Sequence, residues 1–135
     1  MFLGQPLPFI RLIFTLNTCS AIVGNKVLCF ETECELLLAF GEFIRLVDPD
    51  VITGYNILNF DSPYLVNRAN HLKANDFCFI GRIKNSRTKV RDARFSSKQM
   101  GTREYKELNT EGRIQFDVLG KLTEVTCPFV LYRML

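Results

Sequence analysis

The chain has no tryptophan and one histidine, and it contains no Cys-x-x-Cys pair. His71 standing alone cannot assemble a cysteine–histidine zinc site, and its surroundings read as a helix surface. The five cysteines, Cys19, Cys29, Cys34, Cys78 and Cys127, are odd in number and scattered. That pattern argues for reduced thiols in a reducing compartment and against a disulfide framework. Long apolar runs are missing too. The run from Leu7 to Leu16 is broken by Arg11 and falls well short of the roughly 20 residues that a membrane helix needs. No basic leader precedes it, so a soluble chain without a membrane partner is expected. Neither an internal repeat nor a low-complexity tract occurs.

Among 135 residues, 47% are apolar and twelve are Phe, a globular composition with enough apolar surface for one core. The formal charge of +3 hides an asymmetry. From Arg82 to Lys106 there are nine basic residues against Asp92 and Glu104, giving +7, while the rest of the chain carries −4. Such a segment suits a polyanion, or it is a solvated loop or hairpin whose charges only keep it soluble. Phe95 is its only aromatic before Tyr105, which is little for a base-stacking platform.

Residues 9–16 read as a strand, Val23-Gly24-Asn25-Lys26 as a turn, and Val27–Phe30 as the neighbouring strand. Thr32 with Glu35 forms a capping-box signature opening a helix whose buried stripe is Leu37, Phe40, Ile44 and Val47. Asp48-Pro49 stops that helix. Asp50–Gly54 reads as a short buried strand. After it, Asp61 or Ser62 is expected to cap a second helix with Pro63 in its first turn, burying Leu65, Ala69 and Leu72. Phe77–Ile80 and Ile114–Val118 read as strands flanking the basic segment.

Between the strand at 50–54 and the second helix lies Tyr55-Asn56-Ile57-Leu58-Asn59-Phe60-Asp61. A carboxylate at such a junction stands where α/β proteins commonly place ligands and metals, though a helix cap with Asn56 as a turn residue accounts for the same pattern. The stretch Asp48 to Asp61, followed by Pro63-Tyr64-Leu65, resembles the second exonuclease motif of the family B DNA polymerases, and looks most like their delta-type catalytic subunits. Gly4-x-Pro6-x-Pro8-Phe9-x-Arg11, Gly81-Arg82, Arg91-Asp92, Ser97-Lys98-Gln99-x-Gly101 and Gly112-Arg113-Ile114-Gln115-x-Asp117 are similar to further landmarks in the same order.

The resemblance implies an α/β fold. It would be a partial ribonuclease-H-like exonuclease fold, a mixed sheet with flanking helices, lacking the family's first strand and its C-terminal helices. Residues 1–121 would form the partial 3′–5′ exonuclease domain and 122–135 a divergent tail. Asp61 would be the catalytic and metal-binding residue, for Mg²⁺ or Mn²⁺. Asn56 and Phe60 would lie against the 3′ end of a single-stranded DNA primer; the charge of the basic segment, independently of the resemblance, makes Arg87, Lys89 and Arg91 the candidate phosphate contacts. Other polymerase subunits and a nuclear location are implied as well. The family's first motif, Asp-x-Glu, and its third, Tyr-x-x-x-Asp, occur nowhere in the chain; the first is expected before residue 1 and the third after 135. One carboxylate cannot position two ions, so catalytic incompetence is expected. With the central strand missing, the helix face of Leu37, Phe40 and Ile44 is expected to lie uncovered. A stand-alone non-catalytic single-strand-binding module and a non-functional truncated product are the alternatives.

Overall fold

A computed structural model of the chain describes residues 10–97 and 101–119. Its elements run β1 (Leu12–Leu16), β2 (Lys26–Phe30), α1 (Glu33–Val47), β3 (Val51–Gly54), α2 (Asp61–His71), a 3₁₀ turn (Asn75–Cys78), β4 (Val90–Ser97), β5 (Gly101–Leu108) and β6 (Ile114–Asp117). The expected capping box opens α1. The Thr32 hydroxyl accepts from the Glu35 N–H at 3.3 Å, and the Glu35 carboxylate accepts from the Thr32 N–H at 3.2 Å. Two N–H groups that a helix start leaves bare are thereby satisfied. The helix ends at Asp48, whose backbone is left-handed with φ 50°, ahead of Pro49.

The α/β character expected from the sequence is present, but among the described residues the strands do not join into one mixed sheet. The strands pair as three separate two-stranded sheets: β1 with β2 and β3 with β6, both parallel, and β4 with β5, antiparallel. Among the described residues no strand bridges the two parallel pairs. The return from β1 to β2 covers only residues 17–25, fewer than the dozen or more usual between parallel strands. Left-handed backbone at Asn17 (φ 61°) and Gly24 (φ 78°) makes the double reversal possible. β3 is not buried, as expected for it, but half-exposed: Val51 and Thr53 face outward while Ile52 and Gly54 are half-covered.

Phe77–Ile80 is the other departure. The run is not a strand; it forms the 3₁₀ turn and its exit, with Phe77 and Cys78 at 1% and 0% exposure. Four apolar residues in a row have no period that separates a strand from a buried turn. Here they plug the space between the helices. Leu37, Val66, Ala69, Ala74, Phe77, Cys78 and Leu108 form the core, with Phe40, Leu65 and Leu72 against it. The α1 face expected to be uncovered is therefore packed: Leu37 and Ile44 are buried, and Phe40 stacks on Phe77 at 6.4 Å between ring centres. Phe14 of β1 touches Phe40, Phe43 and Phe30, which fixes the first sheet onto the same helix. Exposed apolar side chains include Val51, Ile114 and Phe116 on the β3–β6 pair and, on the outer side of α1, Leu46.

Ion pairs tie these layers together. Arg68 of α2 holds Glu33 of α1 through two hydrogen bonds at 2.6 and 2.7 Å. The Arg113 side chain, only 2% exposed, donates to Asp48 Oδ1, the Pro49 carbonyl and the Ile80 carbonyl. Arg82 donates to the same Asp48 oxygen, to the Asp48 and Gly112 carbonyls, and to Asp50. The Arg82 hydrogen bond, then that of Arg113, holds the Asp48 carboxyl below the usual aspartate value, and the Arg68 hydrogen bond does the same for Glu33. Side-chain hydrogen bonds from Ser86 and Asn109 lower Glu111.

A carboxyl with a depressed folded-state pKa stabilises the fold at pH above its unfolded value and loses that contribution as pH falls through the folded value. Stability followed by circular dichroism is expected to drop below about pH 4, the unfolded carboxylate range. Asp48→Asn should lower stability at neutral pH and make the acid limb shallower. An unchanged limb would show that the arginine cluster does not set it.

Candidate nucleic-acid interface

The loop from Tyr55 to Phe60 is shaped from both ends. Gly54 closes β3 where the Ile57 side chain folds back over the backbone, and a Cβ at position 54 would collide with Ile57 Cγ2. Asn56 then takes left-handed backbone at φ 59°, a conformation that asparagine tolerates better than most residues. Its carbonyl accepts from the Phe60 N–H at 3.0 Å, and the Ile57 carbonyl accepts from Ser62 at 2.9 Å. These turns lead directly into α2.

Asp61 is the first residue of that helix and is exposed. The expected side-chain cap is absent: Phe60 occupies the capping position without a side-chain hydrogen bond, and neither Asp61 nor Ser62 supplies one. The Asp61 carboxylate takes no hydrogen bond or ion pair from the described residues. Its charge is favourable at a helix N-terminus, so it is held in place by the helix rather than by a partner. Exposed aromatics flank it in the chain: Tyr55 at 63% in the preceding loop, Phe60 at 67% and Tyr64 at 57%. Phe60 and Tyr64 are four residues apart across the first helical turn, where side chains are neighbours.

Asp117 is the contact that sequence reasoning passed over. It ends β6 directly beside Gly54. Its Oδ1 accepts from the Asn56 N–H at 2.8 Å and its Oδ2 from the Leu58 N–H at 3.1 Å. Asn59 makes a second tie, because its Nδ2 reaches Asn56 Oδ1 at 3.4 Å while its Oδ1 accepts from the Lys106 N–H of β5 at 3.2 Å. Both signals were legible only as landmarks, because the pairing that gives them meaning joins residues about 50 to 60 apart.

The basic segment begins in the bends and turns at 82–89 and continues into the antiparallel pair β4–β5, whose Lys106 N–H meets Asn59 of the Tyr55–Phe60 loop. Arg91 and Lys106 line an open groove of about 550 Å³ together with Leu58, Glu107 and Gln115. Two of the cations already have partners within the chain. Arg82 is engaged by Asp48 and Asp50. Arg87 donates to the side chains of Asn70, Asn75 and Cys78, bracing the turn above α2. Lys89 and Arg91 are exposed. The side chains of Phe95 and Tyr105, residues 98–100 and the tail at 122–135 lie outside the described residues.

The chemistry of the donor set decides what metal the site can hold. Asp48 and Asp50 face arginines, Asp117 faces backbone N–H groups, and no group of three or more His, Cys, Asp and Glu capable of holding a metal occurs among the described residues. Asp61 is a single oxygen donor group, which does not fit a two-ion centre.

The DNA polymerase family B exonuclease domain matches residues 2–126, and the chain belongs to that family. Within it, the chain is similar to DNA polymerase delta catalytic subunits. It is 58% identical to that of Glycine max over 116 residues, covering 86% of this chain and 11% of that protein. The Drosophila melanogaster subunit is 53% identical over 138 residues, covering 98% and 13%. The Candida albicans subunit is 50% identical over 116 residues. The chain thus spans 11–13% of the length of the Glycine max and Drosophila melanogaster relatives.

Gly54→Ala is expected to displace Ile57 and with it the loop, at a cost of about 1–3 kcal/mol, the usual range for overpacking. Urea unfolding measures the loss. A variant as stable as the parent would show that the loop has room to give.

Proposed function

We propose that this chain is the strand-end-holding part of a 3′–5′ proofreading exonuclease domain of a replicative, delta-type DNA polymerase. In this reading residues 1–121 belong to a ribonuclease-H-like domain and 122–135 are a divergent tail. Its substrate is the 3′ end of a single DNA strand, its setting is the nucleus, and its partners in proteins the length of its relatives are further polymerase subunits. The observation that carries the reading is the Asn59 tie, which sets the Asn56–Asp61 loop against the cationic hairpin through the Lys106 N–H.

Each residue then has a physical task. Asn56 lies beside the strand end, and Phe60, with Tyr64 next to it, offers a face to terminal bases. Stacking of this kind is worth about 1–3 kcal/mol per base. Lys89 and Arg91 neutralise phosphates, giving affinity without sequence choice. Arg87 sits at the same edge but braces the fold. Asp61 contributes one carboxylate toward Mg²⁺ or Mn²⁺, ions that supply water activation and leaving-group stabilisation when a full donor set holds them. These residues do not complete such a set, so the chain binds a strand without cutting it.

Incubated with Mg²⁺ or Mn²⁺, the purified chain is expected not to shorten a single-stranded DNA primer from its 3′ end. Shortening that disappears in Asp61→Ala would refute this and reveal a further acidic partner.

Binding is the positive test. Dissociation constants of the order of 10⁻⁴ to 10⁻⁶ M at physiological salt are expected for single-stranded DNA. Lys89→Ala with Arg91→Ala should weaken binding and reduce the slope of log K against log salt by about 1.4, at roughly 0.7 per phosphate contact. Asp61→Ala should not weaken it, since a bare carboxylate repels phosphate. Unchanged affinity and slope in the double variant would mean that the hairpin is only a solvated surface.

A further inference from the structure

Asp117 is engaged in a way that neither packing nor charge balance at the sheet requires. Its carboxylate faces no cation among the contacts it makes; it collects three backbone N–H groups instead. Two belong to the loop, Asn56 at 2.8 Å and Leu58 at 3.1 Å, and the third is Leu119 at 2.9 Å, just beyond β6. A carboxylate is the one side chain that accepts on both oxygens without offering a competing donor, and charge-assisted bonds of this kind are about twice as strong as neutral ones.

The geometry points to Asp117 as the positioning residue of the Asn56–Asp61 loop, an inference that rests on the reading of that loop as the seat of the strand end. Three features carry it. Asn56 occupies left-handed backbone, a conformation that costs free energy unless its surroundings hold it. The Asn56 N–H that this conformation turns toward β6 is taken by Asp117 Oδ1. Asp117 is itself placed by strand register, standing opposite Gly54 at the last rung of the β3–β6 pair. The loop is thus clipped to the sheet two and four residues beyond Gly54, and the start of α2, with Asp61 at its head, follows from there. Asparagine at 117 would keep the shape but present an NH₂ to one of the N–H groups, leaving one donor facing another.

Backbone amide exchange in the full chain, read residue by residue by NMR, tests this in Asp117→Asn, with Thr53→Val as the structural control. Thr53 Oγ1 donates to the Phe116 carbonyl at 2.8 Å, so its loss weakens the same sheet pair without touching the carboxylate. In Asp117→Asn, exchange at Asn56 and Leu58 is expected to accelerate at least tenfold, while Leu37 and Ala69 in the core keep their protection. Single-stranded DNA affinity should fall at least threefold with the salt slope unchanged, because geometry and not charge count is altered. Thr53→Val should leave Asn56 and Leu58 protected.

Unaltered exchange at Asn56 and Leu58 in Asp117→Asn would overturn the inference. So would equal loss of protection at Ala69, including outright unfolding, since Asp117 would then hold the fold as a whole. Acceleration in Thr53→Val as large as in Asp117→Asn would overturn it too. Should the parent chain bind no DNA, the strand-end reading fails by that measurement alone, and selective exposure of Asn56 and Leu58 in Asp117→Asn still supports the carboxylate as the clip of this loop.

Discussion

One carboxylate gathers the parts of this chain that sequence keeps apart. Asp48 Oδ1 accepts from Arg82 at 2.8 Å and from Arg113 at 2.7 Å, so the end of α1, the segment after the 3₁₀ turn and the start of β6 converge on a single atom. The Arg113 guanidinium is buried, and a buried charge without partners is strongly unfavourable. It is satisfied at once by Asp48, by the Pro49 carbonyl and by the Ile80 carbonyl. The two arginines therefore fix where β6 starts, with the Ile114 N–H donating to the Asp50 carbonyl at 2.8 Å.

From that start the register of β6 along β3 is set, and with parallel pairing only one residue can stand opposite Gly54. That residue is Asp117. A slip by one position would turn its side chain to the other face of the pair, and the Asn56 and Leu58 N–H groups would lose their acceptor. The arginine cluster at one end of the sheet and the loop at the other are thus two consequences of one alignment. The hairpin enters through the same region, because β5 passes Lys106 to Asn59 before the chain turns at Thr110–Arg113 toward β6.

The scaffold beneath is economical in strands and rich in aromatic contact. Phe14, Phe30, Phe40, Phe43 and Phe77 form a chain of ring contacts from the first sheet through α1 to the 3₁₀ turn. Aromatic pairs with centroids between about 4.5 and 7 Å apart attract beyond their area burial. That chain of contacts ties the pair of short parallel strands to the helices, where no described strand joins it to β3 and β6. The exposed Val51, Ile114 and Phe116 mark the side on which the β3–β6 pair has the least cover.

What the sequence settled by itself was local. The α1 capping box, its stop at Asp48-Pro49, the stripe of Leu37, Phe40 and Ile44, the Pro63 entry into α2 and the strand at 114–117 all rest on residues within a few positions of each other, where periodicity, caps and proline sterics act. The order of residues around Asn56 and Asp61 was legible for the same reason, as was membership of the exonuclease family. Tertiary structure alone decided the rest. Phe77–Ile80 became a buried turn because two helices left a cavity of that shape, and an apolar run carries no period to say so. Among the described residues the strands pair two by two, since strand partners are chosen by long-range pairing. Arg87 became a brace and Asp117 a clip for the same physical reason: a hydrogen bond spanning 12 to 61 residues leaves no trace in the spacing of the amino acids that make it.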